Sequence, residues 1–176
     1  MLFRSLLHLE FSLDASACVE YAGCNLVGRI DRIDVDDAGR AVIIDYKGSL
    51  NNHFSIADKD DAYLGKVQTR MYAQAVRRLL GLDVVGALYV SYGRVPQVSG
   101  AYDARALDAA HLPGCRPDKC ACGAGDSLAF SDMLDWTERR IGDAVAALVA
   151  GDVNPAPAHR DVCAYCPAVG CAKRGA

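Results

Sequence analysis

Three charged side chains occupy positions where a β-hairpin should be apolar. The stretch "GRIDRIDVDDAGRAVIIDYKGS" predicts two strands joined by a turn near Ala38, with Asp31 on the first strand and Asp45 and Lys47 on the second. If residues whose numbers sum to about 76 face each other, Asp31 lies opposite Asp45 at a Cβ separation of roughly 4.5–5.5 Å, and Lys47 projects from the same face. Two carboxylates this close repel unless a proton or a cation lies between them. The pattern therefore predicts a divalent-metal site beside an ammonium group that activates water or balances charge on a phosphoryl group.

A structural alternative exists for this hairpin. A single strand aspartate is more often an edge or solvent-facing residue, and "DVDDAG" also fits an acidic turn or a weak calcium loop. We interpret Asp34, Asp36 and Asp37 as turn residues. Three charged residues on one predicted face of otherwise apolar strands favour the metal site over this alternative.

A helix is predicted after the hairpin. The apolar period becomes helical from Ala62 to Leu80, and Gly81 is expected to end the helix. Gln68 and Tyr72 lie four residues apart on the predicted apolar face, where a glutamine needs a hydrogen-bonding partner. The apolar members of that face are Leu64, Val67, Met71, Ala75 and Leu79.

The opposite face of this helix is basic. Lys66, Arg70 and Arg77 lie about 180° around the helix from the apolar face, so they are predicted to be solvated. We expect Lys66 and Arg70, together with Arg32 of the hairpin, to be candidate contacts to a nucleic-acid backbone.

The remaining elements form the frame around these residues. "LLHLEFSL" predicts a first strand, and "DVVGALYVSYG" predicts a later, buried strand. Residues 103–126 are rich in proline, glycine and cysteine and are predicted to be an inserted loop with weak structure of its own. Ser127 to Ala150 has the period of a second long helix. The sequence thus predicts one domain over residues 1–150 and an extended, cysteine-bearing tail over residues 151–176.

The composition is that of a globular domain. A chain of 176 residues with 52% hydrophobic and 23% charged residues can bury one core. The formal net charge of -3 neither demands nor excludes nucleic acid. No apolar run approaches the roughly 20 residues that span a bilayer, so we expect a cytoplasmic protein with no membrane partner.

The ordered motifs "GRIDRID", "IIDYKGS" and "QTRMY" resemble the RecB/AddB-type nucleases of the PD-(D/E)xK superfamily, which include the CRISPR-associated RecB-like exonucleases. The resemblance implies that Asp31 and Asp45 bind Mg²⁺ or Mn²⁺ and that Lys47 assists the attacking water. It implies that Gln68 and Tyr72 contact the scissile strand and the active site. It also implies a restriction-endonuclease-like fold of the α/β (α+β) class, with a mixed β-sheet flanked by helices.

The tail departs from the family pattern. In the family, three C-terminal cysteines spaced C-x2-C-x5-C join one upstream cysteine at an iron–sulfur cluster. Here Cys163, Cys166 and Cys171 are spaced C-x2-C-x4-C, so the second spacing is one residue shorter. An upstream helix with a metal-binding histidine is not evident, and His8 is expected to be a strand residue. We expect a truncated homologue that lacks the first helix and has no intact [4Fe-4S] cluster. The tail cysteines are then either reduced or share a Zn²⁺ ion with one of Cys115, Cys120 and Cys122.

The other cysteines allow a third interpretation. Cys115, Cys120 and Cys122 could be ligands of a zinc interaction module. Single cysteines in such loops are often without a metal, and Cys18 and Cys24 are more simply small strand residues.

Taken together, the motifs predict a metal-dependent DNA nuclease, exonuclease-like, acting in repair or recombination. Its expected partners are single-stranded DNA or duplex ends and a helicase or other domains of a repair complex. The alternative is a catalytically impaired DNA-binding or scaffolding module that retains the nuclease fold.

Overall fold

The protein is built around one six-stranded sheet. The computed structural model describes residues 5–14, 18–51, 54, 66–125, 128–154, 163–164, 166–168 and 170–171, with side chains from residue 8 onward. The strands are β1 (Ser5–Leu13), β2 (Val19–Tyr21), β3 (Cys24–Leu26), β4 (Gly28–Val35), β5 (Arg40–Lys47), β6 (Asp83–Ser91), β7 (Val98–Asp103) and β8 (Ala121–Cys122). The helices are α1 (Gln68–Leu80), α2 (Pro117–Cys120) and α3 (Phe130–Val149), with a 3-10 turn at Ala109–His111.

The sheet is mixed, in the order β1-β4-β5-β6-β7-β8, and β2 and β3 pair separately. β4 and β5 form an antiparallel hairpin, whereas β5 and β6 are parallel. Parallel neighbours need a crossover connection, and α1 lies between β5 and β6 in the chain. This arrangement confirms the predicted restriction-endonuclease-like fold, with a mixed sheet flanked by helices.

Helix α1 is buried more widely than its apolar pattern predicted. Residues 62–65 of the predicted helix lie outside the described residues, and the helix begins at Gln68 and ends at Gly81, whose left-handed φ of 65° confirms the predicted stop. Met71 is only partly buried, whereas Thr69 and Arg70 are buried. The reason is that α1 packs against both the sheet and α3, so two of its sides are covered. The predicted solvent exposure of Arg70 is therefore wrong.

The cysteine-rich segment is structured. Leu107 and Cys120 are buried in a second apolar cluster with Val42, Val85, Leu88 and Tyr102. β8 pairs in parallel with β7 and extends the sheet. The prediction of weak structure for residues 103–126 is wrong over its described part, because these side chains cover the sheet face that α1 and α3 leave open.

Helix α3 covers the same sheet face as α1. Phe130, Met133 and Leu134 pack into the main core, while the last turns of α3 are exposed. Its bounds match the predicted second helix to within three residues at the start and one at the end. Within the described part of the chain, none of the helices combines the length and apolar character needed to span a bilayer.

Candidate active site

The hairpin has the register that the sequence predicted. The recorded pairs run from Val35 opposite Ala41 to Arg32 opposite Ile44. Asp31 lies one residue beyond this ladder, and its Oδ2 accepts the backbone N–H of Tyr46 at 2.9 Å. The structure therefore brings Asp31 beside the segment that carries Asp45.

The three aspartates of the turn region differ from one another. Asp36 accepts the backbone N–H groups of Ala38 and Arg40 at 3.0 and 2.9 Å, and Asp37 is exposed. Asp34 is not a turn residue: it lies inside β4, where its carboxylate is buried. The turn interpretation is thus confirmed for Asp36 and Asp37 and wrong for Asp34.

Asp45 is a buried carboxyl group whose pKa is shifted by its surroundings. It is 2% exposed, and burial raises its pKa, with the Lys47 ammonium opposing that rise and the Asp31 charge adding to it. Lys47 Nζ lies 2.5 Å from Asp45 Oδ2, yet Oδ2 accepts no hydrogen bond of good geometry from any described residue. The carboxylate is therefore buried and charge-compensated by Lys47 through Oδ2.

A chain of side-chain hydrogen bonds connects the strand motif with the helix motif. Lys47 Nζ donates to Gln68 Oε1 at 3.1 Å, and Gln68 Nε2 donates to the Tyr72 hydroxyl at 3.1 Å. Gln68 and Tyr72 are one helical turn apart, so both point toward β5 from the first turns of α1. The structure thus brings together Asp31, Asp45, Lys47, Gln68 and Tyr72.

Tyr89 is a site residue that the sequence pattern did not identify. It lies beside Asp45 in the parallel register, and its ring centroid is 5.9 Å from Lys47 Nζ, within cation–π range. Its hydroxyl accepts the backbone N–H of Thr69 at 3.2 Å, which holds the start of α1 against β6. The available signal was a tyrosine within a buried apolar strand, because a buried tyrosine hydroxyl needs a partner.

A second aromatic ring extends this contact toward Lys66. Phe54 meets Tyr89 edge to face at a centroid distance of 4.9 Å, and Lys66 Nζ lies 5.9 Å from the Phe54 ring. The aromatic pair is therefore flanked by two ammonium groups, those of Lys47 and Lys66.

The predicted nucleic-acid contacts occupy three different environments. Lys66 is exposed. Arg32 projects from the face of β4 opposite to Asp31 and forms two hydrogen bonds to Asp34, at 2.6 and 2.7 Å. Arg70 is 6% exposed and donates to Thr137 Oγ1 at 3.5 Å, so it presents no surface charge to a ligand. Arg77, predicted on the same face, is partly buried.

The chemistry of the acidic pair fits a small divalent cation. The described residues include no group of three or more His, Cys, Asp or Glu side chains arranged to hold a metal. Mg²⁺, however, is usually held by one or two carboxylates, with water and substrate phosphate oxygens filling the other positions. Asp31 and Asp45 supply two neighbouring carboxylates of this kind, and the charge of Asp31 contributes to the raised pKa of Asp45.

None of the eight cysteines forms a disulfide. In the tail, Cys166 N–H donates to the Cys163 carbonyl at 3.4 Å, and Cys171 N–H donates to the Ala168 carbonyl at 3.2 Å. Neither the tail cysteines nor those of residues 115–122 form a three-ligand group among the described residues. An iron–sulfur or zinc role for Cys163, Cys166 and Cys171 stays a prediction.

A comparison with known protein families gives a match over nearly the whole chain. The sequence profile of the PD-(D/E)XK nuclease superfamily matches residues 3–171. No curated protein is similar enough to count as a match. Because the matched range covers nearly the full length, includes the acidic hairpin and agrees with the mixed sheet, this chain belongs to the PD-(D/E)XK nuclease superfamily.

Proposed function

We propose that this protein is a Mg²⁺- or Mn²⁺-dependent deoxyribonuclease of the RecB/AddB type that hydrolyses phosphodiester bonds, exonuclease-like, in DNA repair or recombination. Members of the superfamily are usually metal-dependent nucleases. The observation that carries the proposal is the connected set of Asp31, Asp45, Lys47, Gln68 and Tyr72 at the carboxyl end of β5.

The two carboxylates and the ammonium group have different roles at this site. Asp31 and Asp45 would hold the divalent cation, which when bound supplies charge stabilisation at a phosphoryl oxygen. Lys47 has three N–H donors. One faces Asp45 and one is given to Gln68, which leaves a donor without a partner among the described residues. That donor can orient a water molecule or stabilise charge on a non-bridging oxygen.

Gln68 and Tyr72 position the ammonium group. The Gln68 amide is fixed at both ends, by Lys47 at its oxygen and by Tyr72 at its nitrogen. The Lys47 side chain is 32% exposed, so its charged end reaches the surface where a DNA strand could approach. The same surface carries Lys66, which we propose as a contact to the DNA backbone.

The test is cleavage of end-labelled single-stranded and blunt duplex DNA with Mg²⁺, Mn²⁺ or EDTA. We expect cleavage from an end with either metal and none in EDTA. Asp31→Asn and Asp45→Asn should each abolish it, whereas Asp132→Asn, an exposed carboxylate at the start of α3, is the matched control that should retain it. Equal activity of the two hairpin variants and the control would contradict the proposal.

A catalytically impaired DNA-binding module is the second candidate. It is favoured by one observation, that the acidic pair has no third carboxylate or histidine within metal-binding distance among the described residues. This candidate predicts DNA binding by the wild type without cleavage under any metal. The same assay, run beside a binding measurement in EDTA, separates the two functions.

A further inference from the structure

An exposed aromatic side chain stands next to the lysine of the active site. Tyr92 is the first residue after β6 and is 73% exposed. Its backbone N–H donates to the carbonyl of Lys47 at 3.2 Å. Its hydroxyl lies 3.6 Å from where a Cβ atom on Gly48 would be. The ring is therefore fixed to the carboxyl end of β5 at its base while its faces remain open to solvent.

The loop that begins with Tyr92 has an unusual surface. Residues 92–97 are all exposed, and they include Val95, which is 74% exposed, and Arg94. A single exposed apolar residue is ordinary, but an aromatic ring, an aliphatic side chain and an arginine on one short loop match the composition of nucleic-acid-binding surfaces.

A cleft of about 290 Å³ adjoins this loop. It is shared by the end of the loop at Gln97, by the segment after β5 and by the cysteine-rich segment, and its polar lining residues include Asn51, Gln97, Ser99, Arg116 and Lys119. Of the described residues that line it, Arg116 and Lys119 are cationic and none is a carboxylate. Asp118 pairs with Arg116 at 3.0 Å, but both side chains are largely exposed, so the pair is weak in water. The described lining thus carries positively charged side chains that can approach an anion.

We infer that Tyr92 and this cleft form a binding track for single-stranded DNA beside the active site. One unpaired base stacks on the Tyr92 ring, and the neighbouring phosphate lies in the cleft near Arg116 and Lys119. The inference rests on the proposed nuclease function for its choice of ligand. Single strands fit better than a duplex because the π-face of an internal base is accessible only when the base is unpaired.

The track is tested by fluorescence anisotropy of a labelled single-stranded oligonucleotide in EDTA, where no cleavage is needed. Stacking of a base on an aromatic side chain predicts that Tyr92→Ala weakens binding between about 5-fold and 100-fold. Tyr92→Phe, which keeps the ring, should bind like the wild type. Leu148→Ala, another exposed apolar residue on the far end of α3, is the matched control and should also be unchanged.

The phosphate contact near Arg116 and Lys119 is tested separately, through the salt dependence of binding. Each phosphate contact removed lowers the slope of log affinity against log salt by roughly 0.7 for single strands. We expect Arg116→Ala/Lys119→Ala to lower the slope by about that amount, because the two side chains contact one phosphate. Arg139→Ala/Arg140→Ala, which removes two exposed charges of α3, should leave it unchanged.

An abasic scan links the ring to a base. Oligonucleotides with one abasic residue at successive positions should include one that binds the wild type as weakly as the intact oligonucleotide binds Tyr92→Ala. The same abasic position should not weaken oligonucleotide binding by Tyr92→Ala any further. If every lesion weakens wild type and variant equally, or if duplex DNA binds as tightly as the single strand, the track is wrong. Binding is measured without metal, so a protein that binds but fails to cleave would overturn the nuclease proposal and leave the track standing.

Discussion

The Tyr72 hydroxyl lies 2.7 Å from the position that a Cβ atom would occupy on residue 28, which is Gly28. The glycine of the hairpin motif and the tyrosine of the helix motif are therefore in direct contact. The absence of a side chain at residue 28 lets Tyr72 reach Gln68 and, through it, Lys47.

Gly28→Ala should displace the Tyr72 ring. The added methyl group has no room, so we expect a loss of about 1–3 kcal/mol in the free energy of unfolding, as for other overpacked sites, together with reduced cleavage. Tyr72→Phe removes the hydroxyl, and the next ring atom is 3.3 Å away. In urea denaturation the double variant should therefore recover most of the stability, whereas additive losses would show that the contact does not cause the effect.

Asp45→Asn should remove the response to divalent cations without weakening the fold. Burial raises the pKa of Asp45, which means that its ionised form is disfavoured in the folded state, so the neutral amide should unfold at the same or a higher temperature in EDTA. Mg²⁺ or Mn²⁺ should raise the melting temperature of the wild type but not that of Asp45→Asn. Asp34→Asn, a buried carboxylate on the other face of the hairpin, should keep the metal response. Metal stabilisation of Asp45→Asn equal to that of the wild type would exclude the acidic pair as the site.

As the pH is lowered, the metal-induced rise in melting temperature should disappear at a higher pH than it would for an aspartate with an ordinary pKa. Cation binding requires ionised Asp45, so the metal-induced rise in melting temperature is lost as pH falls through its raised pKa, above the usual value of about 3.9. Without metal, the effect of pH on the stability of the folded state has the opposite sign. Stability due to protonated Asp45 is present below its unfolded-state pKa and is lost as pH rises through the folded-state pKa. Thermal melts over a pH series with and without Mn²⁺ measure both trends.

Lys47→Met should separate chemistry from folding. We expect cleavage to fall about 100-fold or more, the scale of a positioned proton-transfer or charge-stabilising group, with single-stranded DNA binding in EDTA nearly unchanged. The methionine occupies similar volume, and Asp45 can take up a proton once its ammonium partner is gone. Gln68→Ala should give a smaller loss by itself and should add nothing to the loss caused by Lys47→Met. A variant that unfolds yet retains full activity per folded molecule would make Lys47 structural.

Arg70 should behave as a core residue. Burial lowers the pKa of its guanidinium, and its described hydrogen bond to Thr137 is long. Arg70→Met keeps the volume and should be neutral or stabilising, whereas Arg70→Ala should cost about 2–4 kcal/mol through the space it leaves. Equal losses for both variants in urea denaturation would show that the guanidinium itself is required.

The hairpin could be predicted because its turn is determined locally. Asp36 accepts N–H groups from Ala38 and Arg40, so the turn centre follows from the sequence of the turn alone. Once the centre is known, the alternation of side chains places Asp31, Asp45 and Lys47. The Gln68 and Tyr72 contacts depended on how α1 crosses from β5 to β6, which no local pattern specifies.

Strand β7 and the cysteine-rich segment could not be predicted for a different reason. The sequence "VSGAYD" looks like a weak strand because of Gly100. In the structure a Cβ atom there would lie 2.3 Å from the Ala87 carbonyl oxygen, and φ is 112°. The residue that weakens the pattern is the one that allows β7 to pair with β6. The burial of Leu107 and Cys120 likewise depends on a sheet face formed by distant strands.

Among the strands that the structure describes, β1 is the outermost on one side of the six-stranded sheet. Edge strands can recruit a strand from another molecule. In β1 the pairing register shifts between Leu6 and His8, and Glu10 has a left-handed φ of 56°. Glu10 also forms an exposed ion pair with Arg29 at 3.7 Å. A strand from a second copy would meet an irregular row of backbone groups flanked by charged side chains, which disfavours edge-to-edge pairing.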